Sequence, residues 1–163
     1  MRSPGRFRAV PQTADIALRA YRPSDFDALW RLDQLCFGPE TAYTKYGLEQ
    51  FLEDPVAFTL VAEADGEVQG FILTHVLKQH GHIITIDVRD SQRRNGLGSR
   101  LLRAAEDRLR AAGKEGVGLE VAVDNLPALT FYKRHGFSVV KTIPRYYSNG
   151  LDALEMAKAL SPG

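Results

Sequence analysis

At 163 residues the chain has the length of one domain, enough to bury roughly 70% of the surface that its unfolded form exposes. Hydrophobic residues at 44% and charged residues at 25% are globular proportions, and the longest apolar runs fall short of the roughly 18 residues that span a bilayer. Lysine and arginine (21) balance aspartate and glutamate (20) to a formal charge of +1, which excludes a whole-protein field aimed at nucleic acid and makes any anion site a local one.

Residues 1–13 mix Arg2, Arg6 and Arg8 with Pro4, Gly5 and Pro11 and carry too few apolar side chains to offset the entropy of ordering, so a flexible tail is expected ahead of a single domain over 14–163. The tail contains no apolar leader, and the single cysteine, Cys36, cannot form an internal disulfide; a reducing cytoplasm is the expected home. Ile16 to Ala20 reads as a short strand. Pro23-Ser24-Asp25 then starts a helix through Phe26, Leu29, Trp30 and Phe37 that ends near Gly38-Pro39, and a second helix runs from Lys45 to Glu53 before Pro55. Phe58 to Ala64 and Glu67 to Leu77 are β-rich and flank Asp65-Gly66, a strong hairpin signal. Gln79-His80-Gly81-His82 reads as another turn, followed by a strand from Ile83 to Val88.

From Gly98 to Ala112, Leu101, Leu102, Ala105 and Leu109 recur at helical spacing and Gly113 suits the C-terminal cap. Val117 to Val123 alternates strictly, with Gly118, Glu120 and Ala122 on the face opposite the valines and Leu119. Asp124-Asn125 with Pro127 opens a helix to about His135. Ser138 to Ile143 and Leu151 to Ala159 read as strands, joined by a loop whose tip is Asn149-Gly150.

The segment from Val88 to Ser99 lies between a strand and the strongest helix. Gly96 and Gly98 remove side chains where a ligand must approach the backbone, and the free N–H groups of the first helical turn favour an anion such as a pyrophosphate. Arg93, Arg94 and Arg100 add positive charge. The spacing excludes two nucleotide motifs: a Walker loop needs Lys-Ser or Lys-Thr where Ser99-Arg100 stands, and a dinucleotide fingerprint needs a small residue where Leu101 stands. Read alone, the segment is equally a glycine-softened turn with arginines in water.

Arg93-Arg94-Asn95-Gly96-Leu97-Gly98 resembles the Arg/Gln-x-x-Gly-x-Gly/Ala signature of the GNAT acetyltransferases. The likeness extends to Leu119-Glu120-Val121 with Asn125, to Phe131-Tyr132 through Gly136-Phe137, and to Arg145-Tyr146-Tyr147, and is greatest to enzymes of the ribosomal-protein-alanine type that acetylate protein N-termini. The resemblance implies an α/β (α+β) fold: a mixed, mostly antiparallel sheet of about six to seven strands, splayed at the cofactor site and flanked by about four helices. It implies acetyl-CoA as co-substrate, held by Ile86, Asp87 and Val88, by Arg93, Arg94, Asn95, Gly96, Leu97, Gly98 and Ser99, and by Asn125. In the same way Phe37, Tyr43, Tyr146 and Tyr147 would line the acceptor side, and no metal, nucleic acid or membrane is required. A monomer or a homodimer is expected.

Acetyl transfer to an amine needs a base, a donor for the developing oxyanion and an acid for the leaving thiolate. Glu120, between two small residues, is the expected base; burial would raise its pKa from a free value of about 4.3. Alternation alone favours an outward-facing glutamate, and it is the resemblance that points to a base. Tyr132 stands where the resemblance places a thiolate acid, although helical spacing also fits a core aromatic. The resemblance points to the Val88 N–H as oxyanion donor, while Asp87 faces the other side of its strand. Neutralising a lysine costs about 3 kcal/mol more at pH 7 than neutralising an α-amine, which favours a protein N-terminus over a lysine or small-molecule amine. His80 and His82 read as exposed turn polarity and Cys36 as packing. A non-catalytic acyl-CoA sensor is the competing class; Glu120 together with Tyr132 argues against it.

Overall fold

The computed structural model describes residues 10–12 and 15–161. In chain order its elements are β1 (Ala17–Ala20), α1 (Phe26–Cys36), α2 (Lys45–Glu53), β2 (Ala57–Ala64), β3 (Glu67–Val76), β4 (His80–Val88), α3 (Leu97–Ala111), β5 (Gly116–Ala122), α4 (Leu126–Arg134), β6 (Ser138–Ile143) and β7 (Ala153–Ala159). The strands form one sheet in the order β1-β2-β3-β4-β5-β7-β6. Every neighbouring pair is antiparallel except β4 and β5. The mixed, mostly antiparallel sheet with four helices is the architecture expected from the sequence.

Local chemistry explains the element ends. Asp65 and Gly66 both take positive φ, 52° and 77°, the pair of left-handed residues that a two-residue hairpin between twisted strands requires. The Thr44 side chain caps α2 by accepting from the Gly47 N–H at 3.0 Å. At the end of α3 the Gly113 N–H donates to the Arg110 carbonyl and the Lys114 N–H to the Leu109 carbonyl, the double closure that a left-handed glycine after a helix makes.

Helices cover both faces of the sheet. On one side Leu97, Leu101, Leu102, Ala105 and Leu109 of α3 and Leu129 of α4 pack on Ile72, Ile83, Val117, Leu119 and Val121. On the other, Leu29 and Leu32 of α1 and Leu48 of α2 pack on Val61, Phe71 and Leu73. Each fully buried leucine contributes about 1.5–3 kcal/mol of transfer free energy. The alternation expected in β5 holds, with Val117, Leu119 and Val121 no more than 5% exposed. The contact between α3 and β4 is so close that a Cβ at Gly81 would sit 2.5 Å from Leu109 Cδ1.

One expectation changes. The turn before β4 falls at 77–79, so β4 begins at His80 and both histidines belong to the strand. Strand pairing fixes this: Val76 pairs with Gly81 and His75 with His82, which draws residues read as a turn into the ladder. Most of the expected tail lies outside the described residues, but Pro11 is tied down, its carbonyl accepting from the buried Gln92 amide at 2.7 Å.

Candidate active site

The parallel pairing of β4 and β5 covers only His80–His82 against Gly116–Gly118, while β4 continues to Val88 and β5 to Ala122. Beyond His82 the two strands part, as expected, and the main chain of Ile86 and Val88 borders the opening on the β4 side. At the same end of β4 the chain passes through a short 3-10 turn, Asp90–Gln92, and enters α3. Arg94 and Gly96 take positive φ, 73° and 83°, and a Cβ at Gly96 would meet nothing within 4 Å. The first α3 amide with a backbone acceptor is that of Arg100, which bonds the Gly96 carbonyl at 3.0 Å. Among the described residues the amides of Leu97, Gly98 and Ser99 have no backbone acceptor and face the open ground before Gly96. With the helix dipole behind them, these amides suit a diphosphate. The gap between β4 and β5 suits an extended arm bearing amides that complete the open edge.

The side chains of this half divide their work. Leu97 is fully buried and offers only its backbone. Asn95 spends its amide within the loop, donating to the Ser91 carbonyl at 3.3 Å and to Gln92 Oε1 at 3.4 Å. Ser99 Oγ meets His135 Nε2 at 2.8 Å. The Arg100 guanidinium bonds the Ile16 carbonyl and so holds β1's approach, away from the loop where the sequence reading set its charge. Arg93 is half-exposed, 3.8 Å from Asp90, and lies close to Cys36. Asn125 caps α4, Oδ1 accepting from the Ala128 N–H at 3.3 Å, with its amide group still available as a donor. Asp87 departs from the cofactor-side expectation: its side chain is fully buried, bonded to Thr85 Oγ1, and turned toward α1.

The acceptor half gathers on the α1 side of the sheet. His82 Nε2 lies 2.6 Å from Glu120 Oε2, their side chains 25% and 19% exposed. This pairing is what the sequence reading missed. With the strand start set three residues late, His82 fell in a turn; its true register partner is Gly118, two residues before Glu120 on the same face of β5. When the Nε2–H donates to Glu120, a neutral His82 keeps the Nδ1 lone pair free to accept a proton.

Around the pair stand tyrosines. Tyr146 and Tyr147 meet edge to face at 5.0 Å between centroids. Burial, then Tyr146 and Glu120, push the Tyr147 phenol up to about 12, and burial and then Glu120 raise Tyr146. Tyr43, in edge contact with Phe51, is raised chiefly by burial and then by Asp33 and Tyr146. Tyr132 is packed edge-on between Phe131 and Phe137, and burial, with smaller effects of Asp87 and Tyr147, holds its phenol above the ordinary 10 and therefore protonated. Tyr146 and Tyr147 thus lie near Glu120, and Tyr43 and Tyr132 lie near Tyr147. Phe37 stands at the end of α1, half-buried, its N–H closing on the Asp33 carbonyl at 3.0 Å. Over the entrance, Ser148 Oγ donates to the Glu40 carbonyl at 3.1 Å and Asn149 to the Glu40 carboxylate at 3.2 Å, bridging the α1–α2 and β6–β7 segments. The described residues contain no group of three or more histidine, cysteine or acidic side chains arranged to hold a metal ion, and no helix long and apolar enough to cross a membrane.

A splayed β4–β5 pair, an anion-binding loop into α3 and an acid–base cluster at their junction define an acyl-CoA-dependent acyltransferase. Residues 26–137 match the family described as "Acetyltransferase (GNAT) family", and the chain belongs to that family: it is an acetyl-CoA-dependent N-acetyltransferase. Among its relatives is an N-alpha-acetyltransferase of Sulfurisphaera tokodaii, 35% identical, the alignment covering 94% of this chain and 99% of the relative. Among solved structures, Ard1 from Thermoplasma volcanium has a TM-score of 0.82 at 27% identity, covering 90% of this chain and 99% of that one. The ribosomal-protein-S18-alanine N-acetyltransferase from Escherichia coli shares the fold, with a TM-score of 0.82 at 22% identity over 91% and 96% of the two chains.

Proposed function

We propose that the acceptor is a protein α-amino terminus and that transfer is a direct attack within a ternary complex. The observation that carries this reading is the 2.6 Å contact between His82 and Glu120 beside the parting of β4 and β5, with Tyr146 and Tyr147 close to Glu120. An α-ammonium has a pKa of about 8, so a carboxylate–imidazole pair can accept its proton at neutral pH, directly or through one water; a lysine asks about 3 kcal/mol more. The relative from S. tokodaii carries an N-alpha-acetyltransferase name, which supports an α-amine acceptor.

Acetyl-CoA supplies an acetyl group activated as a thioester. The amides of Leu97, Gly98 and Ser99 hold its diphosphate, with Arg93 and Arg94 beside them, and the edges of Ile86 and Val88 align its arm. Glu120 and His82 act as one unit that takes the amine's proton. The Val88 N–H meets the oxygen that gains charge as the amine attacks. Tyr132, held protonated by burial, gives its phenolic proton to the departing sulfur. Tyr146 and Tyr147 grip the peptide backbone behind the amine.

The test is a mass-spectrometric assay with acetyl-CoA and two peptides. One has a free alanine amino terminus and acetylated lysines, the other a blocked terminus and a free lysine. The first is expected to gain one acetyl group at its α-amine. Acetylation of the lysine peptide alone would overturn the assignment, and acetyl-CoA binding without turnover on either would favour a sensor.

A further inference from the structure

We propose that Asp33 on α1 and Asp87 on β4 share one proton as a buried acid–carboxylate pair, and that this pair positions the acceptor wall against the strand that carries the reaction. Both side chains are fully buried. Each has one satisfied oxygen: Asp33 Oδ2 accepts from the Tyr43 N–H at 2.8 Å, and Asp87 Oδ1 accepts from Thr85 Oγ1. The remaining oxygens, Asp33 Oδ1 and Asp87 Oδ2, are buried without any other donor, and the two carboxyl groups lie within hydrogen-bonding reach of each other. Two carboxylates cannot meet this way when both are ionised, whereas one proton between them satisfies both orphaned oxygens at once.

The surroundings favour keeping that proton. From α1 the pair faces Cys36, from the α1–α2 segment Tyr43, from the loop after β4 Arg93, and from α4 Tyr132; on β3 the neighbour of Asp87 is the apolar Phe71. Of these Arg93 alone is a cation, and half of it is in solvent. Burial raises both carboxyls above the ordinary 3.8, and each has one donor of its own, the Tyr43 N–H on Asp33 and Thr85 Oγ1 on Asp87. One proton held between Asp33 Oδ1 and Asp87 Oδ2 therefore serves both.

The mechanical consequence follows from what the pair joins. Tyr43 N–H to Asp33, Asp33 to Asp87 and Asp87 to Thr85 form a continuous ladder from the acceptor segment into β4. A second tie runs from the Cys36 S–H to the Val88 carbonyl at 3.4 Å. Residues 37–42, which include Phe37 and Glu40, hang between these two ties as a loop anchored at both ends to the strand whose Val88 amide faces the reacting oxygen. Asp33 and Asp87 touch neither substrate; they are positioning residues acting through Tyr43 and Val88.

The assignment to the acceptor wall rests on the function proposed above, but two of its three tests do not. Infrared difference spectroscopy at neutral pH is expected to show a protonated-carboxyl band in the native chain that Asp33→Asn and Asp87→Asn both lose, since an amide supplies the hydrogen instead. No such band in the native chain, or one surviving in both variants, would overturn the shared proton. By hydrogen exchange, Asp33→Ala is expected to speed the amides of 37–43 about tenfold or more, leaving α3 protected, and Asp33→Asn to restore them. Unchanged or uniformly faster exchange would overturn the positioning role. With the alanine-terminated peptide, Asp33→Ala should raise KM about tenfold at unchanged acetyl-CoA affinity and Asp33→Asn should recover it; a fall in kcat alone would contradict the proposal. If Asp33→Ala does not fold, Thr85→Val, which removes one donor from the same ladder, is expected to move exchange and KM in the same direction by a smaller factor, and no movement would count against the pair.

Discussion

On the proposed function, the two halves of the cleft bind by different means. The donor half works with backbone: amides of Leu97, Gly98 and Ser99, the strand edges of Ile86 and Val88, and a glycine whose positive φ opens the approach. The acceptor half works with side chains brought together from separate elements, His82 and Glu120 across a strand boundary, and Glu40 with Asn149 across 109 residues of chain. Backbone recognition suits a partner that is the same in every turnover, because little but a glycine substitution can disturb it. Side-chain recognition makes the acceptor half sensitive to single changes, each of which alters chemistry or selectivity without touching the cofactor.

The largest effect should come from the acceptor half. Glu120→Gln is expected to lower kcat/KM for the peptide by about 100-fold or more, and His82→Gln by a similar factor, with acetyl-CoA affinity within about twofold of native. Because the two act as a unit, the double variant should be little worse than either alone; additive losses in steady-state kinetics would show two independent roles. Tyr132→Phe should cost less, about tenfold in kcat, since a thiolate leaves readily even without an acid. From the donor half, Gly96→Val forces a β-branched residue into left-handed backbone and fills the approach. Calorimetry should register a loss of about 100-fold in CoA affinity, while the slower turnover of acetyl-pantetheine, which lacks the diphosphate, should be far less affected.

That contrast also explains what could be read from sequence. The elements around the proposed donor half were legible because they are contiguous: a strand, a glycine-bearing loop and an amphipathic helix follow one another between Ile83 and Ala112, and each has a local chemical reason. Most elements were legible for the same reason, from the Asp65-Gly66 hairpin to the alternation of Val117, Leu119 and Val121. His82 was not, since its role depends on the register of β4 against both β3 and β5. Nor was the Arg100 bond to Ile16 or the Asp33–Asp87 contact, which join residues distant in sequence through the packing of α3 and α1 on the sheet. Asp87 illustrates the limit: alternation placed it correctly on the far side of its strand, but only the position of α1 shows what it meets.

The smallest predicted effect concerns the stability of that packing. An unfolded aspartate loses its proton near pH 4, about its free pKa, whereas the native pair retains one well above it, so native stability falls as pH rises from there toward the pair's own ionisation. Asp87→Asn removes the titrating acid but keeps a donor toward Asp33. Its Tm relative to the native chain should therefore climb between pH 4 and neutrality, by roughly 3 °C. A difference independent of pH would show that Asp87 is ionised in the fold.

The central claim is that uncommitted amides at the mouth of α3 hold the diphosphate of coenzyme A, and a nitrogen-edited NMR titration with CoA observes those amides directly. The resonances of Leu97, Gly98 and Ser99 should shift together and saturate with one equivalent of ligand. Saturation of CoA binding with these three amides unmoved, while resonances elsewhere respond, would contradict it.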